Sequence, residues 1–369
     1  MKTWDVAIAG GGIIGASIAF ELAAEKLQVV LFDRQSPGRE ASWAAAGMLS
    51  PAPDGFPAIP LIPLAKESLR IYPEFLGEVE RTSGMNTDFE REGALHLFRG
   101  ANAESERDDT VAQYRGLGLS IEPLSAPDAR KLENSISEEI GAAAWNPDEA
   151  RIDPRALTQA VIAGAEKRGV RILPDTPVSG LAIEAGHCRG VVAGGEKISA
   201  GQVVLAAGSF SGEILGTRGE IAPTRPVRGQ MMSLCKENFR LRHVVRTDRG
   251  YLVPRKDGRI IAGSTLEDAG FEKSVTPEGM RTILSAATEM IPELENAEIV
   301  ERWSGLRPGT PDELPILGPA DVKGLFVATG HYRNGILLAP ITAKLLREWI
   351  VTGKTEFDAE IFSPKRFAR

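Results

Sequence analysis

Cysteine is nearly absent from this chain: there are two, Cys188 and Cys235, among 369 residues. Two cysteines make neither a disulfide framework nor a metal-ligand spacing, and both read as inert packing residues in strands or at strand edges. Histidine is scarce as well. His96, His187, His243 and His331 stand singly, without metal or catalytic-triad spacing. No run of like charges occurs, and the net charge of −7 argues against nucleic acid or an anionic membrane surface as the main partner. No apolar stretch reaches transmembrane length. A strand pattern begins within a few residues of the N-terminus and leaves no room for a signal peptide, so the cytoplasm is the expected compartment. Internal repeats and low-complexity tracts are missing too.

What is present is an ordinary globular composition, 43% hydrophobic and 25% charged, on a chain too long for one typical core. Two domains are expected. The clearest signal runs from Val6 to Asp33. An apolar run, Val6 to Ala9, meets Gly10, Gly12 and Gly15 in the spacing G-x-G-x-x-G. Ile14, Ile18 and Leu22 then recur at helical spacing, and a second apolar run, Val29 to Phe32, ends in Asp33. This pattern is that of a βαβ unit built to hold a dinucleotide. Gly10 serves the tight turn, Gly12 admits a pyrophosphate to the backbone, and Gly15 allows close helix–strand packing. The helix N-terminus offers unpaired N–H groups to phosphate, and Asp33 is placed to accept from a ribose. The plainer alternative is a glycine-rich turn in an unrelated α/β protein.

Beyond Asp33 lies a polar, then small-residue loop to Ser50. Ala44, Ala45, Ala46 and Gly47 leave the backbone bare enough for a flat ligand, or else begin a short alanine-rich helix. A proline-rich connector spans Pro51 to Pro63, including Pro53 and Pro57. Helices are expected near 64–82, 103–117, 126–132, 154–168, 277–290 and 336–350. Short strands are expected near 93–98, 170–173, 178–183, 190–192, 203–207, 229–234, 251–254, 259–262 and 324–328. The strand ending in Ala206-Ala207-Gly208 has the form of a second point where a nucleotide-binding sheet meets its ligand.

Nucleotide-binding signals therefore stand at the start, middle and end, with antiparallel texture between them. The expected class is α/β, α+β overall, with a Rossmann-like domain discontinuous in sequence (1–85, 146–220 and 303–369). A substrate domain with a mixed or antiparallel sheet (86–145 and 221–302) is inserted into it twice.

Two segments bear on chemistry. Gly330-His331-Tyr332-Arg333-Asn334-Gly335 lies between a strand and a helix start, where a helix N-terminus aimed at a flavin ring would stabilise negative charge. Alternatively it is only a strand–helix turn that needs Gly335. Ser304 to Thr310 puts Arg307 in a rigid Pro-Gly turn, a setting suited to bidentate capture of a carboxylate, though an isolated surface arginine fits the pattern too.

Together, Gly10–Gly15, Ala44–Leu49 (AAAGML), Tyr251–Arg255 (YLVPR), Gly305–Thr310 (GLRPGT) and Gly330–Pro340 (GHYRNGILLAP) resemble the FAD-dependent glycine oxidases of thiamine biosynthesis. Those enzymes belong to the D-amino-acid oxidase and sarcosine oxidase group, and the likeness runs nearly end to end. The resemblance implies non-covalent FAD and oxidative deamination of glycine, other small amines or D-amino acids, with dioxygen as acceptor and hydrogen peroxide as product. It makes Arg307 and Tyr251 the residues that bind the substrate carboxylate. Arg333 becomes a second arginine near flavin and substrate, and Met48 lies against the isoalloxazine. The implied FAD contacts are Gly10, Gly12, Ile13, Ile14, Gly15, Asp33, Arg34, Ala41, Ser42, Ala46, Gly47, Met48, Val178 and Gly208, with Gly330, His331, Tyr332, Arg333, Asn334, Gly335, Ile336 and Leu337. A homo-oligomer is implied as well, tetrameric in many members. One departure shows. Where this group often has histidine just before the YxVPR tyrosine, this chain has Arg249-Gly250, an extra cation at the mouth. The near alternative is a D-amino-acid or sarcosine oxidase or dehydrogenase on the same scaffold. A nicotinamide-dependent reductase and a non-catalytic flavin-binding protein are the more distant ones.

Overall fold

The computed structural model describes residues 4–52 and 56–367. Its first sheet runs in the order Ile316–Pro319, Leu325–Thr329, Glu196–Leu205, Trp4–Ala9, Val29–Phe32 and Arg171–Leu173. The last five strands are parallel, and Ile316–Pro319 closes one edge antiparallel. A parallel strand covered on both faces needs continuous rather than alternating hydrophobicity, and Val6–Ala9 and Val29–Phe32 are buried at every position. Ile8 and Leu31 face one core with helices Ile13–Ala24, Ile62–Ser83, Pro154–Lys167 and Gly335–Thr352. Ala9 and Phe32 face another core, covered by the antiparallel meander of Val178–Glu184 and His187–Ala193.

The tightest fit is at the first glycine turn. Gly10 has φ +110°, and a Cβ there would lie 2.3 Å from the Ala206 carbonyl oxygen; a Cβ on Gly15 would lie 1.9 Å from the Gly10 carbonyl oxygen. No side chain fits between that helix and its strand.

The second sheet runs Glu298–Gly309, Arg225–Cys235, Ile260–Gly263, Tyr251–Pro254, Val244–Arg246, Ala94–Arg99, Ile140–Asn146 and Glu122–Ser125. It is antiparallel except where Val244–Arg246 runs beside Ala94–Arg99. Its core includes Leu95, Met232, Leu252 and Ile260, packed under helix Pro277–Met290.

Several expectations need correction. Arg307 is not in a turn. It lies within the strand Glu298–Gly309, paired with Val227, and the expected boundary between 302 and 303 falls inside this strand. Pro308 does not end the ladder because it faces Pro226 near the strand end, where the two missing donors fall opposite each other. The loop at Ala44 is partly helical: one turn, Ala41–Ala44, precedes an extended segment to strand Met48–Leu49. Strands expected at 190–192 and 203–207 are longer, His187–Ala193 and Glu196–Leu205, because they continue as a hairpin beyond the parallel sheet. Of the proline-rich connector, 53–55 (with Pro53) lie outside the described residues; the rest leads through Phe56–Leu61 into helix Ile62–Ser83.

Candidate active site

The two sheets meet over a cavity of about 930 Å³ that runs from the C-terminal ends of the parallel strands to the face of the second sheet. In open α/β sheets ligands bind at that strand end. Gly10, Gly12, Ile13, Ile14, Asp33, Arg34, Val178 and Gly208 line its nucleotide end. Asp33 is held firmly. Its Oδ2 accepts from the Gly11 N–H at 2.8 Å and its Oδ1 from the Gln35 N–H at 3.0 Å. Burial raises the Asp33 pKa, and those two N–H groups oppose the shift. Ser42, also on the wall, accepts from the Ile13 N–H at 2.9 Å, so its hydroxyl sits at the first helix N-terminus.

Toward the middle the lining is Ala41, Ala44–Met48 and His331–Ile336. Small residues there have a structural cause. A Cβ on Gly305 would lie 2.3 Å from the Ala44 Cβ, and Trp303 Nε1 donates to the Ala44 carbonyl at 3.2 Å. Buried Arg255 donates to the Ala46 carbonyl at 2.5 Å; burial lowers its pKa to about 10, which leaves it charged at neutral pH. Across the cavity, Gly335 and Ile336 begin helix Gly335–Thr352, so its N-terminus opens on the cavity. The His331 ring turns away. Its Nε2 meets Thr342 Oγ1 at 3.0 Å, and burial pushes its pKa down to about 3, so the imidazole is neutral.

At the third end, Arg307 extends over Gly229, where a Cβ would lie 1.9 Å from its Nη1. Its Nη2 donates to Ser264 Oγ at 2.6 Å and its Nη1 to the Thr265 carbonyl at 3.3 Å. Among the described residues no carboxylate pairs with it. Tyr251 lies over Gly263, next in sequence to the Ser264 that Arg307 bonds, with its hydroxyl 3.8 Å from Met231 Sδ. Met48 packs into the same group with Ala46, Met231, Tyr251 and Trp303. Arg333 lines the cavity from the other wall, 5.4 Å from the Tyr332 ring.

Three of the expected cofactor residues do not line the cavity. Gly15 is consumed by packing against Gly10. Gly330, at φ +72°, makes the turn against Thr310. Leu337 is buried among the helices, and its carbonyl accepts from Ser68 Oγ at 2.5 Å.

Sequence reading missed Arg246. It pairs across the hairpin with Tyr251, so both project from one face of the sheet into the cavity. Arg246 Nε donates to His96 Nε2 at 2.6 Å, and its Nη2 to Glu149 Oε1 at 2.7 Å and to the Tyr114 hydroxyl at 3.1 Å. Glu149 also accepts from Ser50 Oγ at 2.9 Å. Burial is the largest influence on Glu149 and opposes its charge, yet Arg246 and His96 together hold its carboxyl below the usual range. The five-residue spacing of Arg246 and Tyr251 across a tight turn was the available signal; Glu149 offers none. Arg249 does line the mouth, but it is ion-paired with Glu289.

A dinucleotide with a flat ring fits this cavity: acid and arginine at one end, two helix N-termini, and a bare alanine–glycine wall. The FAD dependent oxidoreductase family model matches residues 5–349. The chain belongs to this family. Glycine oxidase of Geobacillus kaustophilus is 33% identical over 98% of this chain and 97% of its own length. Its crystal structure superposes with a TM-score of 0.93, covering 99% of both chains at 31% identity. The bifunctional protein ThiO/ThiG of Synechocystis is 36% identical, and the chain spans 54% of its length, about half. An FAD-dependent oxidoreductase that bound its cofactor through cysteine would need a thiol at the site. Buried Cys188 and half-buried Cys235 both lie off the cavity lining.

Proposed function

We propose that this chain catalyses the oxidative deamination of glycine and related small amines: glycine, water and dioxygen give glyoxylate, ammonia and hydrogen peroxide. The observation that carries the reading is Arg307, a cation without a carboxylate partner among the described residues, fixed beside Tyr251 on the cavity wall. A guanidinium held by Ser264 and Thr265 still presents N–H groups that match a carboxylate bidentately. Tyr251 adds a hydroxyl next to it, and Arg333 a second cation from the opposite wall. FAD held by these lining residues would supply two-electron oxidation of the amine, with dioxygen as the final acceptor. The residues orient the amine with its α-hydrogen toward the ring and exclude bulk water, so the protein's contribution is positioning and charge complementarity. No general base is required if the amine reacts in its neutral form.

The FAD contacts proposed are the lining residues at the three glycines' turn, Asp33, Arg34, Ala41 to Met48, Val178, Gly208 and His331 to Ile336. A place in thiamine biosynthesis, a cytoplasmic location and a homo-oligomer, which the family resemblance implies, are further parts of the same proposal. Among the described residues no helix is long and apolar enough to cross a membrane. The test is peroxide formation screened across glycine, sarcosine, D-alanine and D-proline. Glycine turnover with peroxide supports the proposal. Faster turnover of the cyclic or N-methylated amines points to the neighbouring oxidases, and dye reduction without peroxide to a dehydrogenase.

A further inference from the structure

Residues 264–276 join strand Ile260–Gly263 to helix Pro277–Met290; Ser264 and Leu266 line the cavity, and Phe271 and Lys273 reach Phe210 and Glu40, which line it elsewhere. Among the described residues seven large apolar side chains are exposed, and three of them, Leu266, Phe271 and Val275, fall within this loop. Such a concentration on one surface segment calls for a function. The loop's root is anchored by hydrogen bonds: Ser264 and Thr265 accept from Arg307, and Glu267 is ion-paired with Arg228 and accepts from Gln230.

The far end is held by side chains reaching across to the first sheet. Phe271 stacks on Phe210, with centroids 4.7 Å apart and planes at 26°. The Arg34 guanidinium lies over the Phe210 ring at 3.5 Å. Lys273 Nζ reaches Glu40 at 3.2 Å, and Glu40 also accepts from Arg34 at 2.5 Å and from Gln35 at 2.9 Å. The Lys273 carbonyl accepts from Ser304 Oγ at 2.5 Å. Phe210, Arg34 and Glu40 line the cavity; Phe271 and Lys273 do not, and touch it only through them.

We propose that residues 264–275 form a strap that closes the nucleotide end of the cavity and retains FAD. Phe271 and Lys273 are positioning residues within it: Phe271 fixes the Phe210–Arg34 stack, and Lys273 fixes Glu40. The strap rests on the FAD assignment and assigns FAD retention to residues of the second sheet's connection, outside every glycine-rich motif. Because its root bonds to Arg307, the same segment spans the cofactor and substrate ends.

The experiment measures FAD release from the holoprotein after dilution, by the rise in flavin fluorescence. Phe271→Ala is expected to release FAD about tenfold faster and Phe271→Tyr at nearly the wild-type rate. Lys273→Met should release it several-fold faster and Lys273→Arg at nearly the wild-type rate. The urea midpoint of FAD-stripped protein should not move in any of them. Release from Phe271→Ala within twofold of wild type overturns the strap, as does faster release accompanied by an equally weakened FAD-free protein. Should Phe271→Ala fail to fold, the lysine variants decide: release from Lys273→Met within twofold of wild type overturns it. Wild-type protein that never holds FAD contradicts the cofactor assignment itself, a result distinct from all of these.

Discussion

At the residue scale the account turns on a few charges. Arg307→Ala removes the partner of a substrate carboxylate in a half-buried site, which costs on the order of 3–5 kcal/mol. KM for glycine should therefore rise roughly 10²–10⁴-fold while the protein keeps its FAD and its yellow colour; steady-state kinetics with an absorption spectrum of the purified variant checks this. Glu149→Gln is expected to act differently. It removes the buried carboxylate that pairs with Arg246 and should lower unfolding stability by about 3 kcal/mol, measured by urea denaturation. Protonation also has a definite sign here. The Glu149 carboxyl sits below its usual range in the folded state, so its contribution is present above the unfolded carboxylate pKa and is lost as pH falls through the folded value. His331 adds to the same trend. Its neutral ring is bound with a folded pKa of about 3 against 6.5 in the unfolded chain, so its contribution is full above about pH 6.5 and declines as pH falls toward about 3. Denaturation midpoints taken from pH 8 to pH 4 should fall, and His331→Asn should flatten that fall.

At the element scale, neighbouring strands set where the charges point. Gly229 lies under the Arg307 guanidinium, with no room for a methyl group unless the guanidinium moves. Gly229→Ala should leave the fold nearly intact, because the displaced atoms are the end of a flexible side chain, yet raise KM much as Arg307→Ala does. Near-wild-type KM in a folded Gly229→Ala would remove the strand-borne orientation of Arg307 from the account. Gly15→Ala has no such escape, since its methyl would meet backbone, and FAD affinity and unfolding midpoint should fall together. These elements also show what the sequence could express. The parallel strands, Gly10 to Gly15 and helices 126–132 and 277–290 were legible, because local periodicity and turn chemistry determine them. Arg307 was recognised as a residue but misplaced in a turn, because the pairing that keeps Pro308 in a strand comes from Pro226, far away in sequence. The Arg246–Glu149–His96 group and the Phe271–Phe210 stack were illegible for the same reason: each is assembled by tertiary pairing across long sequence separations.

At the scale of the whole molecule, one sheet brings the glycine turn, Asp33 and Arg333 to the cavity and the other brings Arg307 and Tyr251, and the cavity lies where they meet. A homo-oligomer is testable by light scattering of the holoprotein, where a mass of several chains is expected. The central claim, that a fixed cation holds a small amino acid beside FAD, is tested most directly by anaerobic titration with glycine. Flavin absorbance is followed at about 450 nm in wild type and Arg307→Ala side by side. The account predicts bleaching of the wild-type protein, and bleaching of the variant only at glycine concentrations orders of magnitude higher. A wild-type flavin that stays oxidised with every small amine, or a variant that bleaches over the same range as wild type, contradicts it.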